Sequence, residues 1–200
     1  MSIHIPLVAN ALPGQPDSER WNLYDRLLQE RLIFLGQPLN GECANHTIAA
    51  MLYLDAAESN RDIRLYINSS GDLGSESLTA GLAIYDTMQC LRNDVITVCT
   101  GVATGVATFL VAMGAAEKRF ALPHARLMLS QPRQMISERS VTEIDTVAKE
   151  FLQQRQLLAE ALALRKGQTI EKILENAERG VYLSPQAALE YGLIDAVVSH

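Results

Sequence analysis

The segment Thr100-Gly101-Val102-Ala103-Thr104-Gly105-Val106-Ala107 has the shape of a nucleophile turn, yet its tip carries no nucleophile. It lies between a strand-forming run, Val95–Cys99, and an apolar helical run that begins near Thr108. Many hydrolases present a reactive Ser or Cys on such a tight strand-to-helix turn. Backbone N–H groups at the helix start can hold an oxyanion. At the tip stands Gly105, with no side-chain atom to attack a carbonyl.

The other reactive residue types offer no alternative centre. Cys43, Cys90 and Cys99 are odd in number and widely spaced, which suits reduced thiols and no zinc knuckle. Histidines 4, 46, 124 and 200 show no His-x-x-x-His spacing, so neither a metal nor another cofactor is expected. The net charge of −6 argues against an electrostatic nucleic-acid binder. No membrane partner is expected, because the longest apolar stretch, Val102 to Ala116, is broken by Thr and Gly and is shorter than about 18 residues. The start Met-Ser-Ile-His-Ile-Pro lacks a basic and apolar leader, which points to the cytoplasm.

These residues need a scaffold, and the pattern supplies one. Residues 1–18 hold three of the seven prolines and read as a flexible N-terminal arm. Residues 19–200 read as one domain. Trp21, Tyr24, Leu27 and Leu28 form a helical stripe that feeds a strand at Arg31–Leu35. Then come a helix over Glu42–Ala57, a strand over Ile63–Asn68, a polar loop and a helix over Ser77–Leu91. Lys118–Leu122 and Arg126–Leu129 read as short strands joined around Pro123. Strands alternating with helices of this length predict an α/β fold of βαβ units.

The spacing predicts a long helix over about 140–166. Ser140-Val141-Thr142-Glu143 is a capping box, and no Gly or Pro follows until Gly167. That is about 38 Å of helix at 1.5 Å per residue. Ile144, Val147, Phe151, Leu158 and Leu162 form a narrow stripe, broken by Gln154. Such a helix is expected to project from the body and meet another subunit; the alternative is a long helix lying across the domain's own sheet. Thr169 is placed to cap a helix closing at Gly180, and Ser184-Pro185 opens one closing at Gly192.

Several runs together resemble the proteolytic subunit of the ATP-dependent Clp protease. They are Leu-Tyr-Ile-Asn-Ser (65–69), Ala-Ile-Tyr-Asp-Thr-Met-Gln (83–89), Lys-Arg-Phe-Ala-Leu-Pro (118–123), Gln-Pro (131–132) and Glu-Tyr-Gly-Leu-Ile-Asp (190–195). The resemblance implies the spiral of βαβ units shared with crotonases, here with a protruding helical handle. It also implies two stacked heptameric rings around a chamber, into which an AAA+ Clp chaperone feeds unfolded polypeptide.

The family's triad is Ser, His and Asp, and the resemblance places those positions at Gly105, Ser130 and Gly180. All three are vacated. A serine hydroxyl at position 130 cannot act as a general base near neutral pH, and Gly180 cannot orient an imidazole. Each residue also has an ordinary use. Gly105 can serve a turn, Ser130 a strand end, and Gly180 a left-handed helix cap.

The oxyanion loop departs from the family too. Ser70, Gly71 and Asp72 stand where the family has Pro-Gly-Gly, with about four extra residues before the helix resumes. Asp72 or Glu76 near the pocket would repel an oxyanion, while Val106 follows the vacated nucleophile position. The combination resembles the ClpR-type paralogues of cyanobacteria and plastids. These lack the triad and co-assemble with catalytic Clp subunits in mixed heptameric rings. Family docking positions for the chaperone fall at Arg64, Tyr66, Cys90 and Phe120. Tyr66 and Phe120 keep the aromatic character, whereas Arg64 and Cys90 depart from it.

Two other readings compete. One is a cryptic hydrolase using Ser70, Ser75 or Ser77, with His46 or His124 as base. The other is an acyl-CoA-binding protein of the crotonase type, which shares the fold but not the quoted runs.

Overall fold

The computed structural model of the chain describes residues 7–9, 20–71, 75–131, 141–166 and 168–198. Within the segment expected to be a flexible arm, β1 (Leu7–Ala9) pairs antiparallel with β2 (Arg20–Asn22). Trp21 therefore lies in a strand, and helix α1 starts two residues later, at Leu23–Gln29.

The core is a run of strand–helix units. In chain order it comprises β3 (Leu32–Leu35), α2 (Gly41–Ala57), β4 (Ile63–Ser69), α3 (Ser75–Cys90), β5 (Val95–Thr104) and α4 (Val106–Ala112). After these come β6 (Arg119–Ala121), β7 (Arg126–Leu129), α5 (Val141–Lys166) and α6 (Ile170–Arg179), then β8 (Val181–Leu183), α7 (Pro185–Tyr191) and β9 (Ala196–Val197). Strands β3, β4, β5, β6 and β9 lie side by side in that order, and all are parallel. Strand β7 pairs parallel with the far end of β5 and antiparallel with β8. This is the α/β spiral of βαβ units.

Alternation within the strands sorts the two faces. Ile63, Leu65 and Ile67 of β4 are buried, as are Ile33 and Leu35 of β3. They face the layer made by α2 and α4, with α3 packed between those helices. The helix ends follow local chemistry. Asn40 caps α2 by accepting from Cys43 N–H, and Thr169 caps α6 by accepting from Lys172 N–H. Ser184 caps α7, which ends on the left-handed Gly192.

Most element boundaries shift from the expectation by a residue, and those around the site shift further. Strand β5 continues through Thr104 rather than ending at Cys99, and α4 starts at Val106 rather than near Thr108. Helix α3 starts at Ser75, two residues early. The handle α5 begins at Val141, while the capping Ser140 lies outside the described residues. Residues 142–146 are exposed, but Leu158, Ala159 and Leu162 are buried against the body. The handle is thus exposed over residues 142–146 and packs on α3, α4 and α6 further along, where Phe151 already meets the core. Gln154, the break in the stripe, pairs with Glu150 one turn back, at 2.8 Å.

Candidate functional site

The site forms where parallel strands end. Beyond Ile67 the β4–β5 register shifts, and the Asn68 side chain fills the bulge by accepting from Val102 N–H at 3.0 Å. A Cβ on Gly101 would come within 2.5 Å of that Asn68 oxygen, so glycine is what lets the amide in. Beyond it β5 continues to Thr104 through its pairing with β7 and with Ser69. Asn68→Ala would leave the Val102 N–H to solvent and lower stability by about 0.5–1 kcal/mol, measured as a shift of the urea midpoint.

At the end of β5 the chain turns on Gly105, with φ 52° and ψ −117°. A serine at a hydrolase elbow is held on a comparably sharp, strained turn. Glycine adopts this conformation without steric cost. The turn is fastened from two sides. Gly105 N–H donates to Met128 O at 3.0 Å, and the buried Thr108 hydroxyl bonds to the carbonyls of Ala103 (2.7 Å) and Met128 (2.9 Å).

The structure brings Gly105 and Ser130 to the same small cavity, whose apolar walls include Val106, Phe109, Leu129, Leu158 and Ile173. Gly180 sits beside them through pairing. Leu129 is in register with Val181, and Gln131 N–H donates to Ala177 O at 3.0 Å. Gly180 has φ 68° and ends α6 in the left-handed region. The three positions therefore converge, though they lie far apart in the chain.

On the facing loop, Gly71 is buried with φ 77°, and an added Cβ would collide with the Thr104 carbonyl oxygen. Its N–H donates to Ser69 Oγ at 3.1 Å, and that hydroxyl donates to Gln37 O at 2.7 Å. The glycine amide is thus engaged within its own loop. Ser70 is exposed, and its carbonyl accepts a hydrogen bond from the Thr104 hydroxyl. Asp72 lies outside the described residues. Glu76 does not face an oxyanion: its carboxylate accepts from Gly41 N–H at the start of α2, 3.2 Å away.

No other nucleophile is assembled among the described residues. His46 and His124 are exposed and neither imidazole bonds to a serine, while Ser77 is fully buried. The side chain of Ser75 is outside the described set. Burial pushes the Cys99 thiol up to about 12, which keeps it protonated and inert. No helix among the described residues is long and apolar enough to cross a membrane.

Of the docking positions, Tyr66 and Phe120 share a row across the sheet. Phe34 pairs with Tyr66, Tyr66 with Val98, and Val98 with Phe120. Arg64 is exposed one alternation earlier on β4. Cys90 does not join them: it is exposed at the end of α3, in the helical layer on the other side of the sheet.

Sequence reading missed the roles of Asn68, Ser69, Thr108 and Asp195, although three of these fall inside the quoted runs. Arg119 Nε donates to Asp195 Oδ2 at 2.7 Å, and the Arg119 and Asp195 N–H groups each bond to the other residue. The end of Glu-Tyr-Gly-Leu-Ile-Asp is therefore a clamp between β6 and the segment entering β9.

Comparison with known proteins agrees with this architecture. The Clp protease family model matches residues 16–200. An ATP-dependent Clp protease proteolytic subunit 3 from Synechococcus sp. (strain CC9902) is 46% identical over 201 residues, covering 100% of this chain and 98% of that protein. A proteolytic subunit 2 from Prochlorococcus marinus (strain NATL2A) is 44% identical, with the same coverage. With its parallel spiral, its handle and a match across nearly its whole length, the chain belongs to the Clp protease family.

Proposed function

We propose that the chain is a non-catalytic, ClpR-type subunit of an ATP-dependent Clp protease core. It joins catalytic sister subunits in mixed heptameric rings of a double-ring chamber in the cytoplasm. There it helps enclose unfolded polypeptide and offers an edge to the AAA+ Clp chaperone. The observation that carries this reading is the elbow itself. The turn at Gly105 keeps the backbone conformation of a nucleophile site but presents only hydrogen. Ser130, on the same cavity, lacks a base with a pKa near neutrality, and Gly180 has no carboxylate to hold one.

The purified chain should show no covalent labelling by fluorophosphonate or β-lactone probes. Co-expressed with a catalytic homologue, it should co-purify in one complex, resolved by native mass spectrometry. A labelled serine on this chain would end the non-catalytic reading. Separate homomeric complexes of the two proteins would end the mixed-ring reading.

A further inference from the structure

Parallel sheets are ordinarily covered on both faces, because neither face carries the polar alternation of a solvated surface. Among the described residues, helices cover only one. On the other face of β3–β6, Phe34 is 38% exposed, and Tyr66 and Phe120 are half-buried. Val98 lies between those two rings, buried by its neighbours and outside the main core cluster. Leu32 and Ile96 extend the apolar surface by one row, on either side of Arg64.

The charges on this face are unequal in their bonding. Lys118, one alternation before Phe120, is neutralised: its ammonium bonds to Asp62 (2.7 Å) and Asp94 (3.0 Å), which hold its pKa above the ordinary lysine value. Arg64 meets no carboxylate among the described residues. One guanidinium nitrogen donates to the Glu30 carbonyl at 2.7 Å, which fixes the head at the rim of the apolar row and leaves its positive charge uncompensated.

We propose that this face takes an extended apolar loop of a partner in which an acidic residue flanks the apolar side chains. The aromatic row holds the apolar residues, and Arg64 meets the carboxylate in a forked, charge-assisted contact. The inference rests on the chaperone-docking reading above and adds the charge that the docking segment must carry.

The test uses the full chain and two labelled synthetic peptides that share a Leu-Phe pair and differ only in the flanking residue, Asp or Lys. Fluorescence anisotropy should show the Asp peptide binding about three- to tenfold more tightly, a preference that shrinks as salt is raised. Arg64→Gln should abolish the preference while both peptides still bind. Arg64→Glu should invert it, and Tyr66→Ala should weaken both. Equal binding of the two peptides to the unaltered chain would overturn the charge rule and leave apolar docking standing. Failure of both to bind, with Tyr66→Ala inert, would overturn the docking reading as well.

Discussion

Replacing Asp195 with alanine should destabilise the fold by about 3 kcal/mol, among the largest effects available to one substitution outside the apolar core. The carboxylate is a hub: it accepts from Arg119 N–H at 3.0 Å and Nε at 2.7 Å, and it also pairs with the terminal guanidinium nitrogen. The two side chains are only 12% and 19% exposed, so water cannot readily replace what is lost. Alanine would leave a largely buried guanidinium whose remaining side-chain partner among the described residues is Ala112 O at 3.4 Å. The consequence is topological, because β9 is held to the sheet by its short pairing with β6.

The size of this effect can be separated from a general loss of packing. An Arg119→Met, Asp195→Leu double variant removes both charges and should recover much of the loss, since an apolar pair does not carry the desolvation cost of a lone ion. Chemical denaturation of the two variants gives the comparison directly. A midpoint for Asp195→Ala within experimental error of the unaltered chain would show that the clamp contributes little.

What the sequence revealed, and what it hid, divides by the range of the interactions. Thr169, Gly180, Ser184 and Gly192 act on neighbours within a few residues, and each performs the expected capping role. The reach of β5 to Thr104 rests on pairing with β7, more than twenty positions on, and on the Asn68 amide, 34 positions back, which accepts from Val102 N–H in a strand made of residues that look like a turn. Glycine and alanine there signal close backbone approach as readily as a loop. The handle shows the same limit. A stripe at Phe151, Leu158 and Leu162 has one period whether its partner is another subunit or the chain's own α6, and only the tertiary structure decides.

Of the three candidate positions, the turn at Gly105 was legible as a local strand–turn–helix pattern, whereas Ser130 and Gly180 came only through family motifs. Their meeting at one end of the sheet comes from the register of β7 between β5 and β8, which no single segment encodes. The capture of the Gly71 amide by Ser69 was likewise hidden, because a hydroxyl two residues away can turn inward or outward. Arg64 and Cys90 were singled out together by alignment, yet strand alternation and the helical layer put them on opposite sides of the sheet.

If the vacated positions are a dismantled triad, rebuilding it should be feasible, and fluorophosphonate labelling should rise by about 10² to 10⁴ between a serine-only variant and the full set. Gly105→Ser alone restores the oxygen, on a turn already at φ 52° and ψ −117°. Holding a non-glycine residue there costs about 1–3 kcal/mol, a strain the Thr108 bonds are placed to carry. Without a base the hydroxyl stays protonated, so this variant should lose stability and label only slowly. Adding Ser130→His puts an imidazole on the cavity that Gly105 also lines. Gly180→Asp then supplies the orienting carboxylate. Its left-handed backbone tolerates Asp better than most residues, and the nearest obstacle to a Cβ is the flexible Met128 methyl at 3.0 Å. The engaged Gly71 amide limits how far turnover can follow, so labelling should recover more than peptide hydrolysis does. Equal labelling rates for the serine-only and triple variants, both folded, would mean that positions 130 and 180 are not where the base and its carboxylate once stood.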